Sequence, residues 1–221
     1  MKEQTVDYIL NIQRGIAGED RDTRIQKYVV PHDKYQNVLE ALIHIYENED
    51  STLAFRMGCR YKTCGLCAMD INGIARMACL TKLSNDMTVK PLRNLPVIRD
   101  LVIDRRPFFL KLREYRIFIP HRDIRGLEQL RIPGEYRQLA KCRECLCCVS
   151  NYDAYKFGKS DFESPYIFVK IAQAHYDPRN LIDRKEQAKK LGVERYRQGA
   201  KIPCPFGVPI FETAIAPFLG M

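Results

Sequence analysis

Cys59-Arg60-Tyr61-Lys62-Thr63-Cys64-Gly65-Leu66-Cys67, closed by Cys79, is the stretch around which the chain is organised. Cys-x4-Cys-x2-Cys with a fourth Cys downstream is a ligand spacing for a [2Fe–2S] cluster. Four thiolates saturate two tetrahedral irons, three from one tight loop and the fourth from a neighbouring strand. A loop wrapped round inorganic sulfur needs small residues. Gly58 and Gly65 flank the ligands, where backbone N–H groups can aim at sulfur. Structural zinc is the competing use of clustered cysteines, but zinc takes paired Cys-x2-Cys knuckles, and Cys59–Cys64 is not one.

Working outward, residues 6–12 read as a strand with Tyr8, Leu10 and Ile12 on one side, and Ile25 to Val30 as a second strand stopped by Pro31. Residues 15–23, with Gly15 and Gly18, read as the turn between them. Val38, Leu42 and Ile45 recur at helical spacing and predict an amphipathic helix over 37–47. After the cysteine loop, Ala68–Asn72 is a short strand. Asn72-Gly73 is a hairpin signal, and Ile74–Ala78 returns to deliver Cys79. A last strand covers Met87–Pro91. Strand, strand, helix and cluster loop is the order of a β-grasp, plant-type ferredoxin-like domain, assigned to residues 1–95.

Beyond residue 95 the pattern turns helical. Val97, Ile98, Leu101 and Val102 form a helical stripe, and Pro107 starts or kinks a helix containing Leu110 and Leu112. Residues 120–135 read as a polar loop. Helices are expected from Glu163 to about Tyr176, over about 183–191 and over 210–218. Residues 96–221 therefore read as an α-helical domain with long loops, and the chain as α+β.

The 221 residues carry a formal charge of +9. Eight ligating thiolates and two cluster cores would bring it down to about +5. No basic block or nucleic-acid motif accompanies the charge, so a docking face for an acidic partner, or an ordinary solvated surface, is expected. No run is long enough to span a bilayer. Met1-Lys2-Glu3-Gln4 opens no signal peptide, and the mid-chain Arg105-Arg106-Pro107-Phe108 is not an export signal. A soluble cytoplasmic protein is expected, in whose reducing compartment clustered cysteines signal metal.

The helical half carries Cys142-Arg143-Glu144-Cys145-Leu146-Cys147-Cys148. Cys142, Cys145 and Cys148 give Cys-x2-Cys-x2-Cys, three ligands of a bacterial-type [4Fe–4S] cluster. The remaining distant cysteine is Cys204, in the Cys-Pro context usual for the fourth ligand. A buried reduced thiol cluster used for packing is the bland alternative. The run would continue Cys-x3-Cys-Pro to serve another cluster, but Tyr152-Asp153 stands there. With eight of nine cysteines assigned, Cys147 is left as a non-ligand.

On these residues the chain resembles the iron–sulfur subunits of the succinate dehydrogenase/fumarate reductase family. Ser51-Thr52-Leu53-Ala54-Phe55-Arg56, Cys64-Gly65-Leu66-Cys67-Ala68-Met69 and Ile71-Asn72-Gly73 are similar to that family's N-terminal domain. Pro96-Val97-Ile98-Arg99-Asp100-Leu101-Val102 resembles its domain junction. Cys204-Pro205-Phe206-Gly207-Val208-Pro209 resembles its last cluster motif, with Phe206 where Lys is common. The resemblance implies a [2Fe–2S] cluster on Cys59, Cys64, Cys67 and Cys79, and a [4Fe–4S] cluster on Cys142, Cys145, Cys148 and Cys204.

It also implies a partner subunit carrying FAD, docked near Cys64 beside Arg56, Arg60 and Lys62. The family's three [3Fe–4S] cysteines, their accompanying His and the quinone-pocket Trp are absent; Tyr155, Lys156 and Phe157 stand near the Trp position. Electrons are thus expected to leave the [4Fe–4S] end to a further redox protein, with Lys141, Arg143, Lys156 and Lys159 as a basic rim, and not to a membrane quinone. Peripheral membrane association remains compatible with this arrangement.

Two functions follow: an electron-transfer subunit of an oxidoreductase complex with no substrate-converting site of its own, or a redox-sensing or structural iron–sulfur module. His32, His44, His121 and His175 are scattered and read as surface or packing residues.

Overall fold

The structure, a computed structural model, describes residues 7–16, 23–31, 34–60, 62–119 and 131–220. The chain is mixed α+β and divides into two compact units that do not follow chain order. Met1–Asp104 groups with Cys145–Asn151, and Arg105–Glu144 with Tyr152–Met221. Gly18, His32, His121 and most of the 120–135 loop lie outside the described residues.

The first unit is built on a five-stranded mixed sheet. Strand β1 (Tyr8–Arg14) pairs antiparallel with β2 (Arg24–Val30) and parallel with β5 (Met87–Lys90). Strand β3 (Ala68–Ile71) joins β5 to β4 (Ile74–Met77), giving the order β2-β1-β5-β3-β4. Alternation sets the buried face: Leu10, Ile12 and then Arg14 on β1, Tyr28 and Val30 on β2. The β3–β4 turn uses Asn72 (φ 53°) and Gly73 (φ 79°), both left-handed, as a two-residue hairpin demands. Asp70 accepts from the Gly73 N–H at 2.8 Å.

Helix α1 (Val38–Asn48) covers this sheet with Val38, Leu39, Ala41, Leu42 and Ile45. Its start is reciprocally capped: Asn37 accepts from Glu40 N–H at 3.1 Å, and Glu40 reaches back to the Gln36 N–H at 2.7 Å.

The stripe at 97–102 is not helical. Val97–Arg99 (β6) and Val102–Ile103 (β7) form a small antiparallel hairpin. Its turn is held by tertiary contacts: Asp100, at φ 48°, accepts from Gly15 N–H (3.0 Å) and Ala54 N–H (2.9 Å) and pairs with Arg14 Nε at 3.1 Å. Arg14 also meets Asp50 (2.6 Å), Thr52 (2.9 Å) and the Tyr28 hydroxyl. This ionic cluster is buried, with Arg14 5% and Asp100 3% exposed. Burial works against the Arg14 charge, but the two carboxylates outweigh it and hold the guanidinium above its usual range.

The second unit is helical. Helix α2 (Arg106–Glu114) has Pro107 in its first turn and sends Phe108 into the core. Helix α3 (Gly134–Leu139) follows Pro133. After the short helix α4 (Cys147–Ser150), helix α5 (Pro165–His175) lines the core with Tyr166, Ile167, Phe168, Val169, Ile171 and Ala172. Helix α6 (Arg184–Lys190) is capped by Asp183, which accepts from Lys185 and Glu186 N–H groups, and ends before left-handed Gly192. The C-terminal segment winds as a π turn over Phe211–Ile215 and a 3-10 turn over Ala216–Phe218.

Candidate iron–sulfur centres

The cysteine loop is shaped by backbone that ordinary residues avoid. Arg60 (φ 58°) and Lys62 (φ 67°) are left-handed, as is Gly65 (φ 71°). Such alternation turns successive N–H groups inward to form an anion-binding concavity. Here they meet sulfur: Thr63 and Cys64 N–H each reach Cys59 Sγ at 3.3 Å, and Cys59 and Leu66 N–H each reach Cys64 Sγ at 3.5 Å. Gly58 fits closely: a Cβ there would lie 3.0 Å from Leu66 Cδ1 and 3.2 Å from Cys64 Sγ, so Leu66 would have to give by a few tenths of an ångström.

Cys67 immediately precedes β3 and is 3% exposed; Cys79 lies in the 3-10 turn Ala78–Leu80 that follows β4. Ala78 N–H donates to Cys67 C=O at 2.9 Å and ties the two together. Burial pushes the Cys67 thiol up to about 12, with Cys79 and Cys64 also acting on it. A thiol so placed needs a cation to hold it as thiolate.

The four loop cysteines are thus brought together as two linked pairs, Cys59 with Cys64 and Cys67 with Cys79. Among the described residues no three His, Cys, Asp or Glu converge on a point fit for one metal ion. A two-iron cluster does not ask for that, because each tetrahedral iron takes two thiolates beside two bridging sulfides. The N–H donors, the glycine cradle and the paired thiols all fit such a cluster.

The second cysteine run divides between the two compact units: Cys142 belongs to one, Cys145–Asn151 to the other, and Cys204 to the same unit as Cys142. Left-handed Glu144 (φ 55°) and Leu146 (φ 65°) again alternate with cysteines, and Glu144 N–H reaches Cys142 Sγ at 3.5 Å. Glu144 is anchored by Lys170 at 2.5 Å on its carboxylate and by Arg105 on its carbonyl. Cys147 opens the short helix α4 (Cys147–Ser150) and is fully buried, while Cys148 and Cys204 are half-buried. Gly207 N–H closes a turn on Cys204 C=O at 3.1 Å.

Tyr152, at the position of the missing cysteine, is 8% exposed and lies in an aromatic cluster. It stacks on Tyr196, which also meets Phe162 and Phe168 edge-on at 5.4 and 5.3 Å. Gly192 packs directly on Phe162, where a Cβ would come within 2.6 Å of the Phe162 Cβ. Burial raises the Tyr152 phenol above its ordinary pKa. Tyr155 belongs to the same cluster, 6.0 Å from Phe162.

Arg56, Arg60 and Lys62 are exposed beside the first loop, and Lys141, Arg143, Lys156 and Lys159 are exposed beside the second run. His44 packs on Tyr35 at 4.9 Å and His175 on Phe218 at 5.4 Å. Sequence reasoning missed the buried Arg14 cluster, the Glu144 anchors and Asn151, whose side chain pairs with the backbone of β4.

Residues 9–110 match the family model of the 2Fe-2S iron-sulfur cluster binding domain. The chain is 35% identical over 173 residues to the fumarate reductase iron-sulfur subunit of Mycobacterium tuberculosis, covering 73% of this chain and 70% of that protein. It is 33% identical to an uncharacterized iron-sulfur protein of Methanocaldococcus jannaschii, over 86% of this chain and 39% of that one. With a subunit of the fumarate reductase (CoM/CoB) of Methanothermobacter marburgensis it shares 30% identity, over 83% of this chain. The chain spans 39% and 37% of the length of these two archaeal relatives. A chain of the Mycobacterium smegmatis Sdh1 complex in the apo form superposes with a TM-score of 0.83 at 29% identity, covering 97% of this chain and 94% of that one. The chain therefore belongs to the family of succinate dehydrogenase and fumarate reductase iron–sulfur subunits.

Proposed function

We propose that the chain is the electron-transfer subunit of a flavoprotein oxidoreductase complex, passing single electrons between FAD on a partner subunit and a further redox protein. A β-grasp domain over residues 1–95 holds one [2Fe–2S] cluster on Cys59, Cys64, Cys67 and Cys79. An α-helical ferredoxin domain over residues 96–221 holds one [4Fe–4S] cluster on Cys142, Cys145, Cys148 and Cys204, with Cys147 left unligated. The clusters supply reversible one-electron storage. The chain's own residues hold and screen them; none converts a substrate. The protein is cytoplasmic, and no described helix is long and apolar enough to cross a membrane.

The observation that carries this reading is the pairing of Cys59 with Cys64 and of Cys67 with Cys79, with N–H groups of Thr63, Cys64 and Leu66 turned on sulfur. The aromatic packing round Tyr152 supports two clusters over three. Exposed Arg56, Arg60 and Lys62 support a flavoprotein docking face beside the first loop.

The test combines iron analysis and EPR of the native complex with flavin analysis of co-purified chains. Two clusters and a flavin-bearing partner are expected. A stoichiometric [3Fe–4S] signal that is not a damaged cube would overturn the count. Arg60→Glu with Lys62→Glu should slow association with the flavoprotein, most at low salt; unchanged kinetics would place the docking face elsewhere.

A further inference from the structure

Two residues, Arg143 and Glu144, stand between Cys142 and Cys145. Glu144 takes φ 55°, a region that glycine enters freely and other residues enter at a cost. What the chain gains there is an N–H aimed at sulfur. Glu144 N–H reaches Cys142 Sγ at 3.5 Å, as Thr63 and Cys64 N–H reach Cys59 Sγ in the first loop. Backbone N–H groups turned on sulfur fit thiolates that ligate a cluster.

This glutamate is supported from two sides. Lys170 Nζ meets the Glu144 carboxylate at 2.5 Å, and Arg105 donates to the Glu144 carbonyl. Lys170 is itself held. It projects from α5 with its side chain 14% exposed and its ammonium over the Tyr166 ring, 5.8 Å from the centre. The Glu144 side chain is 39% exposed, so solvent screening leaves the pair little to contribute to overall stability. The pair is neutral as a whole and adds little field of its own at the sulfur. What remains to it is the orientation of the Glu144 backbone. Cys142, Glu144, Arg105 and Lys170 all belong to one compact unit.

We propose that Glu144 and Lys170 are positioning residues that set the reduction potential of the [4Fe–4S] cluster. The Lys170–Glu144 ion pair holds Glu144 left-handed, and the Glu144 N–H stays on Cys142 Sγ. Reduction adds one electron to the cluster and its thiolates. An N–H donor therefore stabilises the reduced form more than the oxidised one and raises the potential. This role rests on the [4Fe–4S] assignment proposed above and extends it to residues that are not ligands.

The test is a redox titration of the holo-protein followed by low-temperature EPR, with the [2Fe–2S] signal as internal reference. Two double variants keep the net charge of the unaltered chain. Lys170→Met with Glu144→Gln removes the ion pair and leaves a residue that avoids the left-handed region. At the unaltered midpoint its ratio of reduced to oxidised [4Fe–4S] cluster should fall about tenfold, or about 59 mV for one electron. Lys170→Met with Glu144→Gly removes the same pair but leaves a residue at ease there, and should keep the ratio near its original value. Lys170→Met alone should lower the ratio, and Lys170→Arg should keep it. The [2Fe–2S] midpoint should stay fixed throughout. Equal [4Fe–4S] potentials in the two double variants, equal potentials in Lys170→Met and Lys170→Arg, or a [2Fe–2S] midpoint that moves in step would each overturn the proposal. An unaltered protein with no [4Fe–4S] signal in its fully reduced state would overturn the cluster assignment, and this role with it.

Discussion

The Tyr152 ring lies flat on Tyr196, with centroids 4.8 Å apart and planes 5° from parallel. The position at which the Cys-x2-Cys-x2-Cys run would continue to a further cysteine is therefore filled by a stacked aromatic ring. Tyr152→Cys should leave iron content at its original value and cost about 3 kcal/mol through lost aromatic packing. Iron analysis with oxidised-state EPR checks it; a new [3Fe–4S] signal would show that the space can be reopened.

Cys147 and Cys204 should separate cleanly by mutation. Cys147→Ser is expected to keep the full iron content. Cys204→Ser should disturb the [4Fe–4S] signal while leaving the [2Fe–2S] signal intact. Loss of the cube in the Cys147 variant would mean that the ligand set is misassigned.

Arg14→Met should be among the most damaging changes in the first unit. It leaves Asp50 and Asp100 without their shared cation, at a cost of about 3 kcal/mol or more. The pH dependence has two limbs. Hydrogen bonds from Thr52 and Tyr28, with Arg14 adding, hold the Asp50 carboxyl well below the usual range, so its contribution is present above pH about 4 and lost as pH falls below that. Burial raises the Tyr28 phenol from 10.0 to about 12; its contribution is full below the former value and lost as pH rises toward the latter. Denaturant midpoints across pH test both limbs, and Arg14→Met should alter both.

Asn151→Ala removes both partners of Ala75. The Asn151 side chain accepts from Ala75 N–H at 2.8 Å and donates to its C=O at 3.0 Å, imitating a neighbouring strand along β4. The expected loss is about 1–3 kcal/mol, with faster amide exchange at Ala75 as the local signature.

Much of this was legible in the sequence because the signals were local. The period-2 run at Leu10 and Ile12, the Asn72-Gly73 turn and the helical spacing of Val38, Leu42 and Ile45 each specify an element without outside help. The hairpin at 97–103 was not legible. Its apolar spacing suits a helix, and only the distant N–H groups of Gly15 and Ala54 on Asp100 turn the chain there. Arg14 was hidden for a similar reason: it continues the inward series of β1, but a charged residue is read as outward until its buried carboxylates are known. Helix α3 was missed because Pro133-Gly134 reads as a loop. The ligand spacings were plain, whereas the left-handed backbone at Arg60, Lys62, Glu144 and Leu146, which aims N–H groups at sulfur, leaves no trace in residue type.

The grouping of Cys145–Asn151 with residues 1–104 bears on how the molecule is made. A ribosome finishes every strand of the five-stranded sheet by Lys90, yet the side chain that closes β4 emerges only with Asn151. Until then the nascent chain carries an open sheet border beside its cysteine loop. A gene fragment ending at residue 95 or 104 would lack the side chain that closes β4 and would leave that border open.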